Sequence, residues 1–179
     1  MVDINFKKEN KEEKSDKKNP LISDKTIELL NYRIEQEDLS SRVYLAIYLS
    51  LENTGHQSAK LWKKYSSEEA NHADWARTYL LSLGITPKTP TLKETTCDCK
   101  NLVDAIQKTY EHELEVTKQC KELAAHAMSE GDHLLYPLTM RYMSEQIEEM
   151  DKAQTLLDQL ESFGTDKIAL RLLDIELSK

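Results

Sequence analysis

Glycine and proline are scarce, with only four of each in 179 residues. A β-rich fold with many tight turns would need more of both. Their scarcity, with frequent Leu, Glu, Lys and Ala, points to long helices and few connections. Phenylalanine and tryptophan are sparse as well, two of each against eight tyrosines. No apolar run approaches the roughly 20 residues of a membrane span, and no signal peptide opens the chain, so a cytoplasmic protein without a membrane partner is expected. A basic excess is also missing. The net charge of −8 argues against nucleic acid as a partner and suits a protein that attracts cations. Three cysteines, Cys97, Cys99 and Cys120, are too few and too odd for a disulfide framework and read as reduced thiols.

What is present is helical periodicity. Residues 1–22 form a charged N-terminal tail with little to bury, read as flexible, and residues 23–179 form one domain. "NPLISDKTIELL" reads as a helix start, with Ser23 or Asp24 as cap. Helices follow over about 23–52, 57–83, 101–128 and 133–162, and a short fifth over about 166–177 carries the apolar residues Ile168, Leu172 and Ile175. The turns "NTGH" and "SEGD" make antiparallel hairpins of helices one and two and of helices three and four. The connection over residues 84–100 holds two prolines and no helical period. About 17 extended residues reach more than 50 Å, while a helix of about 27 residues spans roughly 40 Å. The connection can therefore run the length of the bundle and set helices two and three parallel. The expected fold is all-α, a four-helix bundle with one long crossover and a short fifth C-terminal helix.

Each long helix carries an apolar seam in steps of three and four. The first reads Ile27, Leu30, Ile34, Glu37, Ser41, Tyr44, Tyr48, Leu51. The second reads Ser58, Trp62, Tyr65, Glu69, His72, Ala76, Tyr79, Leu83. The third is Leu102, Ile106, Thr109, Glu113, Val116, Cys120, Leu123, Ala127. The fourth is Leu135, Leu138, Tyr142, Gln146, Glu149, Ala153, Leu156, Leu160, Phe163. Every seam is interrupted at its middle by carboxylates or an imidazole. A buried unpaired carboxylate costs several kcal/mol or more, so four helices doing this need a common cause.

Heights along the helices let these residues meet. Glu37 lies 17 residues before Thr54 and Glu69 lies 15 after it. Glu113 lies 18 residues before Gly131, with Gln146 and Glu149 15 and 18 after it. At about 1.5 Å per residue these levels agree within about one turn. Four carboxylates, one His and one Gln then converge, with Tyr44 nearby, and such a cluster repels itself unless cations neutralise it. Oxygen ligands with a single imidazole suit Fe or Mn better than a thiolate zinc site, and more than four ligands suggest two metals with Glu69 as the bridge.

The segments "LNYRIEQEDLSSRVYLA", "SSEEANHA", "KTYEHELEVT" and "SEQIEEMDK" resemble, in order and spacing, those of the non-haem ferritins of prokaryotes. The resemblance covers about residues 23–178. It implies a ferroxidase centre in a ferritin-like domain. Glu37, Glu69 and His72 would hold one iron, and Glu69, Glu113 and Glu149 the second. Gln146 would stand beside the pair, and Tyr44 would be the nearby electron donor. Such ferritins often add a third iron site, which maps to Glu68, Glu145, Glu148 and Glu149. The implied activity is oxidation of Fe(II) to Fe(III) by O2 or peroxide, with ferric mineral stored in a homo-oligomeric shell, a 24-mer in the family. The alternative is a di-iron peroxidase or oxidase of the same superfamily without mineral storage; such enzymes carry two Glu-x-x-His repeats on their helices, and the expected helices here carry one, Glu69 with His72. Bacterioferritins have a haem-ligating Met after the bridging Glu, where Ala70 stands here, so no haem is expected. Arg141 occupies a position at which many bacterial ferritins have an aromatic residue. Cys97 and Cys99 are expected to be incidental.

Overall fold

The structure is a computed structural model that describes residues 21–97, Cys99 and 101–179. Nearly all of the N-terminal tail therefore lies outside the described residues. The elements are α1 (Asp24–Asn53), α2 (Ala59–Ser82), α3 (Leu102–Glu130), α4 (Tyr136–Phe163) and α5 (Lys167–Glu176). Among the described residues there is no strand, and no helix is long and apolar enough to cross a membrane.

Caps account for the boundaries. The Ser23 side chain accepts from the Thr26 N–H at the start of α1, and Asn101 accepts from the Asp104 N–H at the start of α3, each satisfying an N–H that has no partner within its helix. Helix α3 ends on Gly131, whose φ of 63° is the left-handed conformation that favours glycine. Ser58 gives α2 no side-chain cap. The cap comes instead from Asp174, more than 100 residues away in the chain: its carboxylate accepts from the Gln57 and Ser58 N–H groups at 3.1 and 2.9 Å and from the Ser58 hydroxyl at 2.7 Å. Burial opposes the Asp174 charge, but these donors outweigh it and hold the carboxyl below its usual range.

Cross-helix contacts fix the directions. Thr26 meets His126, Arg33 meets Gln119, and Ser40 meets His112, so α1 and α3 run antiparallel. Since α1 and α2 form an antiparallel hairpin, α2 and α3 run parallel, as the long connection requires. That connection runs along α1. The Lys88 N–H donates to Asn31 Oδ1 at 2.6 Å, and Ser50 Oγ donates to the Cys99 carbonyl at 2.7 Å.

Burial divides the bundle interior in two. One apolar cluster includes Ile47, Leu51, Trp62, Leu102, Ile106 and Leu156; the other includes Leu30, Ile34, Leu80, Leu123, Leu135 and Leu138. Full burial of each large side chain contributes about 1.5–3 kcal/mol. Ile22, assigned to the tail by sequence, packs into the second cluster. Between the clusters lie the polar residues of the mid-seams.

The α3 seam is buried at every expected position. On α1, Ser40 and Ile47 are buried where Ser41 and Tyr48 were expected, and Ile27 yields to Thr26. The displacement is the same along the whole helix: Thr26, Arg33, Ser40 and Ile47 recur every seven residues beside Leu30, Glu37, Tyr44 and Leu51, so the inward face keeps its heptad period and is only turned by a constant amount. Tyr79 and Leu83 are half-buried, and Phe163 is exposed at the end of α4. Helix α5 packs through Ala169, Leu173 and Asp174, leaving Ile168, Leu172 and Ile175 exposed. The expectation of three reduced thiols is corrected at one pair. Cys97 and Cys99 are disulfide-bonded, because the connection brings their Cα atoms to 5.3 Å, within disulfide reach. Cys120 is a free, buried thiol.

Candidate metal centre

The centre draws its side chains from the middle of all four long helices. Glu37 on α1 and Glu69 and His72 on α2 are buried, and one ligand atom from each lies within 4.8 Å of the others. The i, i+3 spacing puts Glu69 and His72 on one face, with His72 Nδ1 3.3 Å from Glu69 Oε2. His72, Glu145 and Glu149 form a second group of the same tightness, so the imidazole stands between the inner and outer carboxylates.

Glu113 is held by its neighbours instead. Tyr44 donates its hydroxyl proton to Glu113 Oε1, and the Gln146 amide donates to Glu113 Oε2 at 2.8 Å. Both residues therefore stand beside the centre and fix the direction of the Glu113 carboxylate. Tyr44 packs edge-on against Tyr65 and His112, and His112 in turn bonds Ser40 Oγ at 2.9 Å. The expected outer carboxylates separate: Glu68 and Glu145 are half-buried and Glu148 is exposed, and of the four only Glu145 and Glu149 belong to the second group.

The electrostatics are those of a cluster that needs cations. Burial pushes the Glu37 carboxyl up to about 8, although the Arg33 guanidinium pulls it down. Burial also raises Glu69, with the Glu113 charge adding to the effect. Glu149 is raised by burial against the opposing pull of Lys152. The Tyr44 phenol is driven well above its ordinary value, first by burial and then by Glu113. Glu37 Oε2 is buried without an N–H or hydroxyl donor among the described residues and faces the Glu69 carboxyl. Two carboxyls this buried repel each other when both are charged, and a proton or a cation relieves that repulsion. This orphaned oxygen and its neighbours fit a hard, oxygen-preferring metal ion with one imidazole ligand.

Three features are absent from the sequence-level reading. Arg33 is almost wholly buried, with Nε 2.8 Å from Glu37 Oε1 and Nη1 donating to Gln119 Oε1 at 3.0 Å. Lys152 Nζ lies 2.9 Å from Glu149 Oε1 and 4.0 Å from Glu68 Oε2. Both follow helical spacings from a carboxylate of the cluster, i−4 for Arg33 and i+3 for Lys152, and that spacing was the available signal. Third, the Trp75 ring lies 4.6 Å from His72 and 5.3 Å from Tyr142, and the Arg141 guanidinium stacks on it at 3.8 Å. An aromatic side chain thus does flank the centre, supplied by α2.

Comparison with known proteins gives the family. Residues 27–163 match the Ferritin family, described as a ferritin-like domain. A probable bacterial non-heme ferritin-like protein of Haemophilus influenzae is 29% identical over 158 residues, covering 88% of this chain and 96% of that protein. A bacterial non-heme ferritin of Campylobacter jejuni is 28% identical over 155 residues, covering 86% and 93%. Among solved structures, an open pore ferritin from the archaeon Archaeoglobus fulgidus superposes with a TM-score of 0.83 at 32% identity, covering 88% of this chain and 97% of that one. With a matched segment from α1 to the end of α4 and a carboxylate–imidazole cluster at the middle of the bundle, the chain belongs to the ferritin family.

Proposed function

We propose that the protein is a haem-free storage ferritin whose bundle interior oxidises Fe(II) and passes Fe(III) to a mineral held in a multisubunit shell. The observation that carries this reading is the convergence of Glu37, Glu69, His72, Glu113, Gln146 and Glu149 from four helices on one level of the bundle. Family membership supports iron storage and ferroxidase chemistry in general.

Fe(II) is the substrate. Glu37, Glu69 and His72 hold one ion, and Glu69, Glu113 and Glu149 the other. The ions replace protons on the Glu37 and Glu69 carboxyls, so binding releases protons. Carboxylates in a pocket poor in water favour Fe(III) over Fe(II), and O2 or peroxide accepts the electrons. Gln146 and Tyr44 keep Glu113 aimed at the centre. Tyr44, hydrogen-bonded to a ligand, is placed to supply a further electron. Ala70 is exposed on α2 and offers no sulfur to a haem. The exposed apolar residues Ile168 and Leu172 on α5, with Leu45 and Leu49 on α1 and Leu81 on α2, support assembly into a homo-oligomer, a 24-mer by family resemblance.

The test is stopped-flow oxidation of Fe(II), followed by iron loading of the assembled particle. Fast oxidation with many irons stored per subunit is expected. Peroxide turnover without mineral would favour a di-iron peroxidase instead.

A further inference from the structure

The outer carboxylates raise the question of how many metal ions the centre accepts. The family resemblance assigns Glu68, Glu145 and Glu149 to a third ion, but a cation of the chain's own stands beside two of them, Glu149 and Glu68. Lys152 Nζ is bound to Glu149 Oε1 at 2.9 Å and stands 4.0 Å from Glu68 Oε2. Glu68 Oε2 is buried and makes no hydrogen bond among the described residues. Its other oxygen lies 3.5 Å from Lys64 Nζ, whose side chain is exposed. Glu145 Oε1 lies 3.7 Å from His72 Nε2. Burial disfavours the Lys152 ammonium, yet the Glu149 hydrogen bond and the charges of Glu149, Glu68 and Glu145 overcome it and raise the group above its ordinary value.

We propose that Lys152 is a specificity-determining residue of the centre: its ammonium takes the place of a third metal ion and limits each subunit to two. The inference rests on the di-iron reading above. An ammonium is a compact positive charge on a flexible stem, well suited to neutralise two or three carboxylates at once. A divalent ion entering between Glu68, Glu145 and Glu149 would have to displace it and then face it at short range. Glu149 is shared with the second metal position. That position can fill by drawing Glu149 inward while Lys152 keeps Glu68, so the tethered charge obstructs the outer ion more than the inner pair.

The experiment is anaerobic equilibrium dialysis of the full-length assembled protein against Fe2+, comparing the parent with K152Q and K152R. Lys152 is half-exposed, so neither change disturbs the packed interior. The parent should bind about two equivalents per subunit at the centre and K152Q about three, the added one at least about 10-fold tighter than any outer-site binding in the parent. K152R, which keeps the charge, should match the parent. Adding Glu68→Ala to K152Q should remove the extra equivalent, which assigns it to the outer carboxylates. A parent that already binds three, or a K152Q that still binds two, would overturn the proposal and leave the di-iron reading intact. A parent whose binding is unaffected by Glu69→Ala would overturn both.

Discussion

The middle and the two ends of the bundle are built on opposite principles. Each end is a closed apolar cluster in which Leu51, Trp62 and Leu102, or Leu30, Ile34 and Leu80, have no measurable exposure. The middle is equally buried but holds Glu37, Glu69, His72, Glu113, Gln146 and Glu149. The ends gain stability by removing hydrocarbon from water. The middle spends part of that gain on keeping carboxylates dry, with Arg33 and Lys152 as partial compensation. The same fold thus separates the residues that hold it together from those that make it useful, and changes to the two regions should have opposite signatures.

The largest effect should come from the middle. Glu69→Ala removes the proposed bridging ligand and should slow initial Fe(II) oxidation by at least about 100-fold in stopped-flow absorbance. The metal-free variant should unfold at a temperature no lower than the parent, because a repelled buried carboxylate is gone. An unchanged rate would collapse the distinction between the regions. An end should behave in the reverse way. Leu51→Ala leaves a cavity and should cost about 2–5 kcal/mol in denaturant unfolding, while the folded variant keeps its oxidation rate within about 2-fold.

A pH titration sharpens the comparison next. Glu37 and Glu69 have folded values raised above those of the unfolded chain, so the native state binds more protons between about pH 4.5 and about 8. Stability of the metal-free protein should fall as pH rises through that window and level off above it. The slope should shrink in Glu37→Gln, and bound metal should also shrink it, since the metal ions replace the protons. A smaller effect is expected at the periphery. Asp174→Ala leaves the Gln57 and Ser58 N–H groups without their acceptor and should cost about 1–2 kcal/mol. Limited proteolysis should then cut before α5 sooner than in the parent, with oxidation unchanged.

The difference between the regions also explains how far the sequence could be read. Helical spacing and seam composition were enough to mark Glu37, Glu69, His72, Glu113, Gln146 and Glu149, because polar residues within an apolar stripe stand out. The whole α3 seam was legible for the same reason. Arg33 and Lys152 were not, since a charged residue beside a seam is ordinarily solvated and only packing shows that these two turn inward. Ser40 and Ile47 stand one position from the expected Ser41 and Tyr48 because two heptad registers share Leu30, Glu37, Tyr44 and Leu51, and apolar spacing alone does not choose between them. On α5 the apolar pattern pointed to Ile168, Leu172 and Ile175, but the buried anchor is Asp174. That choice depends on the unsatisfied N–H groups of a distant helix, which no local pattern reports.

The central claim is that the polar middle is a metal centre. Crystals soaked anaerobically in Fe2+ and measured across the iron absorption edge test it directly. The account predicts anomalous density between Glu37, Glu69 and His72, with a second peak shared by Glu69, Glu113 and Glu149. Density confined to the protein surface, with none at Glu69, would contradict it.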